Sequence, residues 1–233
     1  MPLSPRSSRW LKPLILLSAS LLSGCDQAFE LVYCEYGYGG VKNQFYQTGV
    51  NLLDKCLALE HLSEEQQATY LQGRAWGHYN LENNEQALAD QDSAFALRAP
   101  EQYYEHLNHA AYLRRLQRFH ESLNALKSAR AIEESQGHVG MATLYNMGWS
   151  LYELGRFEEA VEFLNQGILQ QPDYAFAYLR RGFAYYKQGK ESQAKKDFSE
   201  FLILIADKEV NIPAELKKEI FELPSEYTEF RNL

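Results

Sequence analysis

Laid over residues 178–206 at an offset of 34, the stretch 144–172 repeats its small and apolar landmark positions. Gly148 falls on Gly182, Gly155 on Gly189, Ala160 on Ala194 and Leu164 on Phe198. A fixed period of this length constrains the fold strongly. Each repeat must be one small supersecondary unit that cannot bury its apolar face alone and does so by stacking on a neighbour. Two upstream stretches extend the series. The stretch 71–100 supplies Ala75, Leu81, Ala87 and Ala94, and the stretch 106–134 supplies Ala110, Phe119, Ser122 and Ala129. The equivalent small residues Ala87, Ser122, Ala160 and Ala194 lie 35, 38 and 34 residues apart. From Phe45 onward, apolar and small residues recur at spacings of three and four with no period-two runs, which predicts helices throughout.

The unit resembles the tetratricopeptide repeat, a helix-turn-helix of about 34 residues. The resemblance spans residues 69–206. It is most specific in the third unit, where Gly148, Leu151, Gly155, Phe157, Ala160, Gly167 and Pro172 follow the family pattern. It implies an all-α fold, a right-handed α-α superhelix (TPR solenoid) in which small residues let paired helices cross closely. Four units are expected over residues 67–206. A half repeat over 45–66 should precede them, since Gly49, Leu53, Cys56 and Leu59 look like a second helix lacking its first. Ser63 before Glu64 and Glu65 suggests a helix cap. Residues 207–233 should form a C-terminal cap helix, opened by Pro213, and a tail. The pattern departs from the family at Phe201, where Ala is usual, and in a four-residue insertion at 135–138.

Residues 1–24 read as a signal peptide. Arg6, Arg9 and Lys12 precede a short apolar run from Pro13 to Leu22, too short to span a bilayer. The string Leu22-Ser23-Gly24-Cys25 resembles the bacterial lipobox. That resemblance implies cleavage before Cys25 and acylation of it, a palmitate-type modification that anchors the mature chain through more than one acyl chain. Asp26 resembles the signal that retains lipoproteins in the inner membrane. The expected location is therefore the bacterial cell envelope, facing the periplasm, with the inner membrane favoured and the outer membrane open.

Removing the three leader cations takes the net charge from -8 to -11. A body this acidic is a poor nucleic-acid ligand, and a mean hydropathy of -0.45 excludes a polytopic membrane protein. Residues 25–44, with Gly37, Gly39 and Gly40 among tyrosines, read as a lipidated tether or loop. Cys34 and Cys56 are left as an even pair, which an oxidising compartment can bridge or which can stay as two half-buried thiols.

In the resembled family the first helix of each unit lines a concave groove. Carried over, this gives a protein-binding groove of Tyr70, Trp76 and Tyr79 in the first unit, Tyr104, Arg114 and Arg115 in the second, Tyr145, Trp149 and Tyr152 in the third, and Phe176, Phe183, Tyr186 and Lys187 in the fourth. Asn108, Asn146 and Arg180 fall at equivalent positions two before the small residue, where relatives face a peptide backbone. Large aromatic side chains suit binding anchors. The carboxylate clamp of chaperone receptors is incomplete, because Gln72 and Trp76 stand where Lys and Asn are needed. The resemblance implies a lipid-anchored scaffold or adaptor, and residues 174–188 look like scaffolding lipoproteins that organise murein hydrolases and proteases. The alternatives are an assembly lipoprotein of a pilus or secretion apparatus and, remotely, a metal-dependent enzyme using His106 and His109. Neither HExxH nor GxSxG nor a Walker loop occurs, and neither a catalytic residue nor a cofactor or metal is expected.

Overall fold

The structure is a computed structural model that describes residues 31–206, 210, 212–224 and 227. The leader, Cys25 and Asp26 lie outside the described residues. The regular elements described are helical, and up to residue 205 the helices run as consecutive antiparallel pairs. None of the described helices is long and apolar enough to cross a membrane.

Every hairpin reverses through one residue in the left-handed region: Gln44, Glu82, Gln117, Gly155 and Gly189, with φ of 66°, 63°, 58°, 72° and 71°. The amide after each donates to a carbonyl five residues back, as in Phe45 to Gly40, Asn83 to His78, Arg118 to Leu113, Arg156 to Leu151 and Lys190 to Tyr185. This closure satisfies carbonyls that the ending helix leaves without partners. The turns are spaced 38, 35, 38 and 34 residues apart. The buried crossing residues Gly49, Ala87, Ser122, Ala160 and Ala194 keep the same intervals, so the register is set jointly by turn and crossing. Where the crossing residue is polar, it is satisfied: Ser122 Oγ donates to the Ala110 carbonyl at 2.9 Å.

The chain divides into two compact units, residues 1–99 and 100–233. In the first, α1 (residues 31–42) pairs with α2 (Tyr46–Leu57), and α3 (Glu64–Asn80) pairs with α4 (Asn84–Leu97). The expected tether over 25–44 is corrected here, because residues 31–42 are a helix. The first hairpin is therefore complete rather than half a repeat. Gly37, Gly40 and Gly49 are crossing residues. A Cβ on Gly49 would stand 2.6 Å from Val41 Cγ2, and one on Gly37 would stand 2.9 Å from Leu53 Cγ. A disulfide joins Cys34 of α1 to Cys56 of α2, both fully buried. Ser63 starts α3 through a capping box with Gln66. Arg74 of α3 holds Asp90 of α4 through two bonds of 2.8 and 2.7 Å and reaches Asp54 of α2 at 2.8 Å.

The second unit contains α5 (Tyr103–Arg115), α6 (Phe119–Ser135), α7 (Met141–Glu153), α8 (Phe157–Gln170), α9 (Ala175–Lys187), α10 (Glu191–Ile205) and α11 (Ala214–Phe221). The insertion at 135–138 follows an α6 of 17 residues, against 14 for α8. Arg181 of α9 repeats the Arg74 arrangement, with Asp197 of α10 at 2.7 and 2.6 Å and Asn165 of α8 at 2.7 Å. The two forks share one register, each arginine lying 16 residues before its aspartate. They tie the two helices of one hairpin to the hairpin before it. Phe201 fits its unusual position by filling space, fully buried and 6.0 Å from the Phe176 ring.

Candidate functional site

Small residues at the crossings of α7 and α9 leave the opposite faces of these helices to larger side chains. These two first helices contact each other directly across successive hairpins. Beside them the second unit has a cleft of about 420 Å³, lined by Arg114, Tyr145, Asn146, Trp149, Tyr174 and Phe176, with Pro213 among its other lining residues. Tyr145 meets Tyr174 edge-on at 5.1 Å and Trp149 at 5.8 Å. The Arg114 guanidinium stands 3.8 Å from the centre of the Trp149 ring and donates to Asn146 Oδ1 at 2.6 Å. Asn146 in turn donates to the Ala142 carbonyl, which fixes its amide. Trp149 Nε1 donates to Glu153 at 2.9 Å. An aromatic wall holding cations over its faces is attractive to apolar side chains and to acids alike.

Arg180 is the largest fully buried side chain in the described chain. Its guanidinium lies 4.3 Å from the Trp149 ring centre and 5.3 Å from that of Tyr152. Nη1 donates to Glu219 of α11 at 2.8 Å and stands 3.5 Å from Glu153. Burial opposes its charge, but Tyr145, Glu219 and Glu153 outweigh burial and push its pKa up. The Tyr152 hydroxyl donates to the other Glu219 oxygen at 3.0 Å. Burial first, then Glu219, raises the Tyr152 pKa, and burial also raises those of Tyr145 and Tyr174.

The residues carried over from the sequence thus separate into three groups. Tyr145, Asn146 and Trp149 line the open cleft. Arg180, Tyr152 and Tyr186 are occupied by the chain's own C-terminal segment, the Tyr186 ring by Tyr227 at 5.8 Å. Phe183 does not face a groove. It is buried against Phe198 at 5.2 Å and Tyr152 at 6.4 Å, so its groove role is corrected to a core role. Asn108 is half-buried on α5. Tyr174, Glu219 and Pro213 were not singled out as groove residues by the sequence; the aromatic run around Tyr174 was the signal available for the first of them.

His106 and His109 are both half-buried on α5. Burial, with the neighbouring His109, lowers the His106 pKa, and Glu105 opposes the shift. Among the described residues no three His, Cys, Asp or Glu side chains are grouped as a metal site.

Paired helices with repeating turns and crossings, presenting a side-chain cleft on their first helices, define a helical-repeat scaffold for protein-protein interaction. The chain carries tetratricopeptide repeats: models of that repeat match residues 103–168, 148–189 and 176–203. Solved structures share the fold. MamA of Desulfovibrio magneticus RS-1, from residue 41 to its end, aligns with a TM-score of 0.66 at 14% identity, covering 78% of this chain and 97% of that one. MamA of MSR-1 aligns at 0.64 and 15% identity, covering 76% and 97%. MamA of AMB-1 aligns at 0.63 and 15%, covering 82% and 97%. No curated protein matches the sequence.

Proposed function

We propose that this protein is a lipid-anchored scaffold of the bacterial envelope. Cys25 would carry the acyl chains, and the second unit would bind a segment or domain of another envelope protein, as in the regulation of murein hydrolases or proteases. The cleft beside α7 and α9 carries the binding part of this reading. It combines an open volume with the rigid aromatic anchors Tyr145 and Trp149 and the adjacent cation Arg114, a composition that concentrates binding energy at few residues. The lipobox at Leu22–Cys25 and the basic leader support the anchor.

Affinity capture from solubilised envelopes with the full mature chain tests the binding reading. A protein retained by the wild type and lost with Trp149→Ala, at unchanged thermal stability, supports the cleft. Retention of every captured protein by Trp149→Ala and by Tyr145→Ala overturns it. Metabolic labelling with a palmitate analogue, compared between wild type and Cys25→Ser, tests the anchor independently. Fractionation of Asp26→Ser beside wild type tests retention in the inner membrane.

A further inference from the structure

The helix α11 is only eight residues long, too short to be stable alone in water. Its order comes from docking. Ile212, Leu216, Ile220 and Leu223, spaced four, four and three, are all buried, which is one apolar face of a helical turn pattern. Glu219, beside that face, is the acid that reaches Arg180 and Tyr152. Yet it fills the arginine incompletely. Among the described residues Nε and Nη2 of this fully buried guanidinium meet no carboxylate, the Tyr145 hydroxyl being the other polar group beside it, and poorly matched buried donors are costly. Glu219 divides its two oxygens between Arg180 and Tyr152, so the planar fork of Arg180 is not engaged by a carboxylate through two parallel bonds, the geometry it suits best. The adjoining cleft is left open, with Pro213 at the start of α11 among its lining residues.

We infer that α11 is an internal stand-in for an external ligand: the second unit takes an amphipathic helical segment of a partner protein that carries a carboxylate in the place of Glu219, and this segment displaces α11. The inference rests on the scaffold reading and names the ligand class and the regulation of the same site. The incoming acid engages the Arg180 fork with both oxygens. An apolar or aromatic side chain one turn before the residue equivalent to Leu216 enters the cleft against Tyr145, Trp149, Tyr174 and Phe176. The two-oxygen contact to Arg180 is absent from the α11-bound state, in which Pro213 is the residue that α11 brings to the cleft. Because α11 is tethered, its effective concentration is high, and a partner's apparent affinity is lowered by the small fraction of molecules in which α11 is undocked.

The test uses the full mature chain and a fluorescent synthetic peptide of residues 210–224 as the probe. With Glu219→Lys in the protein, α11 is repelled by Arg180, and the peptide should bind at least about tenfold more tightly than to wild type, a coupling of ordinary size. Hydrogen exchange in α11 should accelerate in parallel, and Glu219→Gln, which keeps size without charge, should lie between. A peptide with lysine in the Glu219 position should lose binding to every form. Equal affinity of the peptide for wild type and both variants overturns the inference, as does equal binding of the lysine peptide. Either result would leave the scaffold reading standing, since that is decided by envelope capture with Trp149→Ala.

Discussion

Reducing the Cys34–Cys56 bridge should loosen the first hairpin by an amount that can be worked from its place in the chain. The two cysteines are 22 residues apart. Opening a loop of that length returns chain entropy to the unfolded state worth about 3 kcal/mol. The paired Cys34→Ala/Cys56→Ala variant also removes two fully buried sulfur atoms, for about 1 kcal/mol more in lost packing. In a unit of this size each kcal/mol moves the melting temperature by about 4–8 °C. If the first unit melts independently, reduction should lower its transition by about 12 °C or more, and if the chain melts as one body the drop is roughly half that. Calorimetry with and without a phosphine reductant measures it, and the alanine pair should melt slightly below the reduced wild type. Oxidised and reduced forms melting within about 2 °C of each other would refute the assignment of stability to loop closure. Thiol titration that finds Cys34 and Cys56 free in protein isolated from its source cells without reductant would refute the bridge itself.

Other perturbations follow from the same geometry. Gly49→Ala places a Cβ 2.7 Å from the Val41 nitrogen and 2.9 Å from the Gly37 oxygen. Both are backbone atoms of α1, so the helices must part, and a urea midpoint corresponding to a loss of about 2–3 kcal/mol is expected. Gly155→Ala meets no atom within 4 Å but has φ of 72°, so its cost is conformational alone, about 1 kcal/mol. Glu82→Gly, at φ of 63°, should be neutral or stabilising by about 0.5 kcal/mol, since relief of the left-handed strain exceeds the added unfolded-state entropy. The His106 pKa is lowered by burial and by His109, so the unfolded chain holds more protons than the folded one. Stability from this site should therefore fall as pH drops through the ordinary histidine value near 6.5 and level off below the folded value. His106→Gln should flatten the melting temperature between pH 7 and pH 5.5.

The repeat positions were legible because one physical demand recurs in each. A crossing needs a small residue, whether Ala87, Ser122, Ala160 or Ala194, and a helix reversal needs a left-handed residue, supplied by glycine at Gly155 and Gly189. The first hairpin shows where that reading fails. In residues 31–42 Gly37 and Gly40 serve close approach, but the density of glycine among tyrosines reads equally well as a loop, because composition does not distinguish a helix that must touch its neighbour from a segment that need not fold. The turn there is also held by Gln44 rather than glycine, as at Glu82 and Gln117, so the glycine punctuation marks only the last two hairpins.

Phe183 and Trp149 sharpen the same point for the site. Each directly follows the crossing glycine of its first helix, Gly182 and Gly148, so periodicity assigns them one role. Trp149 lines the cleft, whereas Phe183 is buried with Phe198, whose ring is covered in turn by Tyr227. The difference comes from the non-repeating C-terminal segment, which has no register and so cannot be placed by counting. Arg180 carries the argument furthest. It shares its position with Asn108 and Asn146, but a charged guanidinium with no accessible surface requires a close carboxylate, and Glu153 of the repeat stands off at 3.5 Å. Glu219 provides one. That requirement could be read from the arginine only once its burial was known, and it makes the acid on α11 a specific feature of this chain, beyond the general need of a repeat array for a terminal cap.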